Sequence, residues 1–399
     1  MDRRSFLKTC AAATVAPLVG GCGAMQAPAS EVDVQVTGLK LTPVFSTREM
    51  GRRNPADKQK SISKHVIVEL QTNAAHVGLG EMSDVKWAVD RAALRQLQLR
   101  LESVVVGREL RDIHLLLVRI AAVKWDHQVE AGIETALYDA LGKSLGMPLY
   151  ELFGGRVRDS IPFAYPLAPC RLPEDVGSNL TRVRKKVERG HDGFRYYFGA
   201  DLDLDERFLE EVRNRWGSSI RLVALDASGR FTVEEAITAI NRFAQFKPEL
   251  VESPVKGRHR GAAEDFAAVR DAVGVPIGEH IPGDVEAARY VNVVDVFNSG
   301  PGWTGFDTAQ RVFTVAEVFG VKALLGSTVE LSIGTAARAH LGLTVRNLDF
   351  GCYMAGPLVY REQVVRERVE YKSGRVFLTD RPGLGLELDP EKLARQTLA

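Results

Sequence analysis

The chain has 399 residues, with 52 basic side chains against 51 acidic ones, and its pI is close to neutral. That balance lacks the concentrated basic excess of a nucleic-acid-binding protein, so no nucleic-acid partner is expected. A hydrophobic fraction of 45% is ordinary for a globular enzyme, and the length suits one large barrel with a smaller companion domain.

Residues 1–30 read as an address. Asp2-Arg-Arg-Ser-Phe-Leu-Lys8 has the twin-arginine export pattern, and the apolar stretch Cys10–Val19 behind it is too short to span a bilayer as a mature helix. Val19-Gly-Gly-Cys22 resembles a lipobox, so Cys22 is either an acylated N-terminus or a chance cysteine in a small-residue tail. The expected location is therefore the periplasm, free or lipid-anchored. Beyond Cys10 and Cys22 only Cys170 and Cys352 remain, enough for one optional bridge but not for a disulfide framework.

Residues 31–80 alternate as strands do, through Val32, Val34 and Val36 and then Val66, Val68 and Leu70. The link between them, Ser46–Lys60, carries Arg48, Arg52, Arg53, Lys58 and Lys60. Helical spacing of apolar residues follows from about Val85 to Leu145. From Ile161 onward, apolar runs alternate with amphipathic helices predicted over Asp205–Trp216, Val233–Phe246 and Ala262–Val273. That cadence gives a parallel sheet with right-handed crossovers. Lys322–Leu325 and a weaker segment after Asn347 end the barrel strands. The tail, through Val369–Tyr371 and Val376–Leu378, is expected to return to the N-terminal domain.

Three acids stand at nearly equal intervals in this cadence, each after an apolar run: Asp226, Glu252 and Glu279. In a parallel β/α barrel, residues leaving successive strands converge on the C-terminal face. Carboxylates brought together there repel unless a hard cation neutralises them, and all-oxygen ligation suits Mg²⁺. Taken singly, each acid also fits a helix cap or a salt-bridged loop residue.

Gly80-Glu81, the run Ala131-Gly-Ile-Glu-Thr-Ala-Leu-Tyr-Asp-Ala-Leu-Gly142 with Pro148 and Gly154-Gly155, and Pro382-Gly-Leu-Gly385 together resemble the enolase superfamily. The likeness is greatest to the mandelate racemase/muconate lactonizing enzyme branch and spans roughly residues 31–395. It implies an α/β fold, a (β/α) TIM-type barrel with an α+β N-terminal capping domain. The expected boundaries are 31–155 for the cap, completed by 365–399, and 156–364 for the barrel. It also implies a homo-oligomer, a small carboxylate substrate, and a Mg²⁺ on Asp226, Glu252 and Glu279 that stabilises the enediolate formed when a base removes the proton α to a carboxylate. The loop Ser46–Lys60 lies where the family closes over substrate, or is a solvated charge run.

The usual bases of that family are missing. The segment Gly193-Phe-Arg-Tyr-Tyr-Phe-Gly199 stands where a Lys-x-Lys is expected. Aligned from its glycine, Phe198 and Ala200 replace the lysines; aligned back from Asp205, Arg195 and Tyr197 do. In Asp295-Val-Phe-Asn-Ser-Gly300 the muconate-type lysine position reads Gly300, and Gly326-Ser-Thr-Val-Glu330 offers no histidine. Tyr197 or Tyr196 beside Arg195 is the first substitute, Tyr197 the better posed because strand alternation puts it on the face of Arg195, and a neighbouring cation favours a phenolate. His280, which titrates near neutrality, is the second, and Glu330 is a candidate acid or substrate ligand. Each also has a plain reading: an aromatic wall, a solvent-facing histidine, a paired glutamate. The expectation is a Mg²⁺-dependent lyase or isomerase, of acid-sugar dehydratase or racemase/epimerase type. The rival is a non-catalytic binding member that has lost its bases.

Overall fold

Strands β1 (Val36–Thr47), β2 (Ile62–Thr72) and β3 (Val77–Met82) form an antiparallel sheet in that order. The structure is a computed structural model and describes residues 33–48, 62–74, 76–123, 125–257 and 262–397. The export signal, Cys22, and Arg52, Arg53, Lys58 and Lys60 of the basic link lie outside the described residues. The described residues from Val34 onward form one compact unit, and no helix among them is long and apolar enough to cross a membrane.

The glycine-rich signatures explain themselves by packing. Helix His127–Leu145 lies directly on β3, and a Cβ at Gly80 would stand 2.0 Å from the Gly132 carbonyl oxygen. Only residues without side chains let strand and helix backbones come so close. Two helix turns further, Asp139 is fully buried and accepts from the backbone N–H of Leu79 at 2.7 Å and of Leu384 at 2.6 Å. Lys143 completes its shell at 2.6 Å. The Gly80-Glu81 strand, the Ala131–Gly142 helix and the Pro382–Gly385 tail therefore meet at one carboxylate.

After the short strand β4 (Ile161–Pro162), the second sheet is parallel and has seven strands among the described residues: β5 (Tyr165–Leu167), β6 (Gly193–Tyr197), β7 (Arg221–Asp226), β8 (Val251–Glu252), β9 (Ile277–His280), β10 (Val296–Ser299) and β11 (Lys322–Leu325). Parallel bridges Ala323↔Leu348 and Phe163↔Cys352 close it through the segment after Asn347, giving the capped TIM-type barrel. Amphipathic helices cover the outside. Val233–Phe243 starts on a capping box in which Thr232 and Glu235 satisfy each other's backbone N–H groups. The barrel interior is filled by Ala164, Val223, Ala224, Leu250, Val296, Leu324, Phe350 and Tyr353.

Two expectations change. The hairpin of the tail (Glu370–Lys372 with Arg375–Phe377) pairs with the short strand Ile161–Pro162 at the start of the barrel, not with the N-terminal sheet. The tail beyond that hairpin does return to the N-terminal domain: Gly383 bridges to Pro148, Leu384 donates to Asp139, and the helix Pro390–Gln396 and the bridge Val44↔Thr397 reach β1. Cys170 and Cys352 are both buried and free, so the optional bridge does not form.

Candidate active site

Register decides which side chains face the barrel mouth. Asp226 pairs with Glu252 across β7 and β8, so both project to the same side. Glu252 pairs with Gly278, and Phe297 with Glu279, while His280 stands opposite Asn298. Strand alternation therefore places Gly278 and His280 on the face of Glu252, and Glu279 on the other. Glu279 does accept from Ser253 Oγ at 3.0 Å, and its charge, after burial, helps push up the Tyr290 phenol in the helix layer. The expected acidic trio is thus brought into one neighbourhood but not to one point.

Its oxygens are covered by protein donors. Asp226 Oδ1 accepts from Ser228 N at 2.7 Å and Ser228 Oγ at 3.0 Å, and Asp226 Oδ2 from Arg195 Nη2. Arg195 Nη2 also lies 2.9 Å from Glu252 Oε2. Glu252 Oε1 takes Asn298 Nδ2 at 2.7 Å and has His280 Nε2 at 3.1 Å. His280 Nδ1 is 3.1 Å from Glu279 Oε1, which its own backbone N–H also reaches at 2.6 Å. Ser253, with φ of 45°, holds the strained backbone that turns its hydroxyl to Glu279.

Arg195 is the centre of this arrangement. It is buried, packed between the rings of Tyr353 and Tyr197, whose centroids lie 4.0 and 4.7 Å from its guanidinium carbon. Burial disfavours its charge, but Asp226 and Glu252 outweigh that and raise its pKa further. Tyr197 pairs with Asp226 at the end of β6 and is partly buried. Phe198 instead packs against Phe231 and Phe243 in the helix layer, so Arg195 and Tyr197 are the residues standing at the Lys-x-Lys positions. Tyr196 points outward and donates to Asp205; burial and that acid hold its phenol well above the ordinary range.

The far side of the mouth is filled by a residue the sequence reading did not single out. Arg338, on helix Ser332–Thr344, is fully buried; it donates to the Gly326 carbonyl at 2.6 Å and Thr328 Oγ1 at 2.9 Å, with Nε 3.1 Å from Glu330 Oε2. A Cβ at Gly300 would stand 2.7 Å from its Nη1, and one at Gly302 2.1 Å from its Nη2. The space beside the expected lysine position therefore holds a guanidinium. Glu330 also accepts from Ser327 Oγ at 2.9 Å and Thr328 N at 3.1 Å. Asn298 and Tyr353 are further site residues missed in the sequence. The signal for Arg338 was available: a lone charged residue in an otherwise small and apolar helix must be paired.

On the cap side, Glu81 accepts from Leu331 N at 2.7 Å and Gly334 N at 2.9 Å, with His65 Nδ1 at 3.0 Å. Burial would raise its pKa, but His65 and the two backbone donors bring it below the usual range. Arg48, the described part of the basic link, is bound to Asp84 at 2.9 Å.

Residues 180–392 match the family described as enolase C-terminal domain-like, and 52–154 match the mandelate racemase/muconate lactonizing enzyme N-terminal domain. The chain belongs to the enolase superfamily, in its mandelate racemase/muconate lactonizing enzyme branch. Muconate cycloisomerase 1-1 of Acinetobacter lwoffii is 31% identical over 348 residues, 83% of this chain and 88% of that protein. Muconate cycloisomerase 1 of Pseudomonas putida is 28% identical over 352 residues, 83% and 89% of the two chains. In fold, the muconate lactonizing enzyme from Pseudomonas fluorescens solved with muconolactone superposes with a TM-score of 0.81 at 23% identity, covering 92% of this chain and all of that one.

The Mg²⁺ that this family resemblance implies finds no fit in the geometry above. A Mg²⁺ needs near-octahedral oxygens at about 2.0–2.1 Å. Here the facing oxygens of Asp226 and Glu252 are taken by Arg195, and Glu279 lies out of phase with them. Among the described residues no three His, Cys, Asp or Glu side chains converge as a metal-binding group.

Proposed function

We propose that this chain is a binding member of its superfamily, taking a small carboxylate at the barrel mouth without abstracting its α-proton. The carrying observation is that the alternative proton acceptors of the mouth are committed within the protein. A general base needs a lone pair within hydrogen-bond reach of the substrate proton. Both His280 ring nitrogens lie against carboxylates, and Glu330 is held by Arg338 and two hydroxyl or amide donors. Burial, with Glu252 beside it, keeps the Tyr353 phenol protonated. The ligand class is supported by relatives named for muconate, a dicarboxylate, and by Arg195 Nε, a buried donor without an acceptor that a ligand oxygen would satisfy.

One observation favours a second reading, a lyase or isomerase of dehydratase, racemase/epimerase or cycloisomerase type. Tyr197 stands at the end of its strand opposite Asp226, partly exposed, with Arg195 against its ring. A single experiment separates the two. The full chain is mixed in D₂O with muconate and a panel of acid sugars, and saturation-transfer NMR reads binding while proton NMR reads α-deuterium exchange. Binding without exchange is expected. Exchange that disappears in Tyr197→Phe would establish the second reading, and absence of binding by every carboxylate would remove the ligand class.

A further inference from the structure

We infer that Arg195, aided by His280, takes the place of the divalent cation at the barrel mouth, so that this chain holds its clustered carboxylates without metal. The inference stands apart from the functional reading above, since it concerns how the acids are neutralised and not what they act on.

Clustered buried carboxylates require compensating positive charge, because in a low-dielectric interior each pair repels strongly and a lone buried anion is very costly. A metal is one source; a guanidinium is another, permanently charged and with planar N–H donors matched to carboxylate oxygens. The side chains form an unbroken series: Asp226 to Arg195 Nη2, Nη2 to Glu252 Oε2 at 2.9 Å, Glu252 Oε1 to His280 Nε2 at 3.1 Å, and His280 Nδ1 to Glu279 Oε1 at 3.1 Å. These contacts join the same three acids that a divalent ion would join, but through the Arg195 guanidinium and the two His280 ring nitrogens at hydrogen-bond distance.

The lever is one residue. Arg195 pairs with Ala224, one inward-facing rung before Asp226, so its length carries the guanidinium up between Asp226 and Glu252. The Tyr353 and Tyr197 rings on either side hold it there. A second lock comes from Asn298 and Ser228, whose donors fix the remaining Glu252 and Asp226 oxygens in directions that serve Arg195.

The test uses the full chain with Mn²⁺ alone as probe, read by the loss of the free-ion electron paramagnetic resonance signal, and thermal unfolding in EDTA or Mg²⁺. Wild type is expected to bind no Mn²⁺ at this site and to melt at the same temperature in both buffers. Arg195→Gln, which uncovers Asp226 and Glu252, is expected to gain about one Mn²⁺ per chain and a metal-dependent rise in melting temperature, as binding to the native state requires. Stoichiometric Mn²⁺ binding by wild type that is lost in Asp226→Asn would overturn the inference. So would a folded Arg195→Gln that gains no metal. Should Arg195→Gln unfold in EDTA, recovery in Mg²⁺ gives the expected result by another readout; failure in both leaves the wild-type titration, with Asp226→Asn as control, to decide. Deuterium exchange by metal-free wild type would defeat the binding reading above and leave this inference standing.

Discussion

Replacing Glu134 with glutamine should remove a slope from the dependence of stability on pH. Glu134 lies buried on helix His127–Leu145 and accepts from the backbone N–H of Asp307 at 3.0 Å. It fits because Gly305 interrupts helix Pro301–Phe319 with φ of 78°; a Cβ there would stand 1.8 Å from Glu134 Oε2. Burial pushes the Glu134 carboxyl from 4.5 up to about 8, with backbone donors from Asp307 and Phe306 lowering it and the Asp307 charge raising it. A folded pKa above the unfolded one means that the group's contribution is full below the unfolded pKa and is lost as pH rises toward about 8. Between about pH 5 and pH 7 the unfolded chain releases this proton while the folded chain keeps it, a loss of roughly 2–3 kcal/mol at 1.36 kcal/mol per unit. Glutamine keeps an acceptor for Asp307 and does not titrate. Urea unfolding followed by circular dichroism at several pH values across this range gives both curves, and the stability difference, glutamine variant minus wild type, should grow by that amount. Parallel curves would refute the argument that this carboxyl is held protonated.

Asp139→Ala leaves the N–H groups of Leu79 and Leu384 and the Lys143 ammonium without their buried acceptor, and should cost about 3–5 kcal/mol by urea unfolding. A loss under about 1 kcal/mol would show that the three signature stretches are not joined through it. We also propose export by the twin-arginine route; changing Arg3 and Arg4 to lysine should hold the precursor in the cytoplasm, and normal export of that variant would end the proposal.

What was legible in the sequence follows from periodicity. The β/α cadence places Asp226 and Glu252 at strand ends, and the two project together because their strands pair without offset. Glu279 shows the limit. A shift of one residue in register sends a side chain to the opposite face, and strands of two to four residues carry too short a pattern to fix it. Arg195 could be placed at the Lys-x-Lys position but not with its partners, since its reach across β7 and β8 depends on that same register. Arg338 acts from helix Ser332–Thr344 on the loop from Gly326 to Glu330 and on the space at Gly300, contacts set by packing of the helix against the barrel end. The tail hairpin was readable as strands, but its partner at Ile161–Pro162 is a long-range choice that no local pattern specifies.

Lysine and arginine share a charge and differ in what they can do with it. A buried lysine shifts its pKa readily and can pass a proton; an arginine stays charged at any pH a protein survives. At the first Lys-x-Lys position this chain has Arg195, and beside the other expected lysine position, Gly300, it has Arg338. Both changes keep positive charge in the barrel mouth while removing a group that could take a proton from a ligand. The charges still serve, Arg195 by holding Asp226 with Glu252 and Arg338 by holding Glu330. On this reading the barrel mouth carries fixed cations, Arg195 and Arg338, where the family resemblance implied titrating lysines. Restoring α-proton exchange would then require more than one reversion, because a lysine placed at Gly300 would meet the Arg338 guanidinium while Arg195 still covered the carboxylates on the other side.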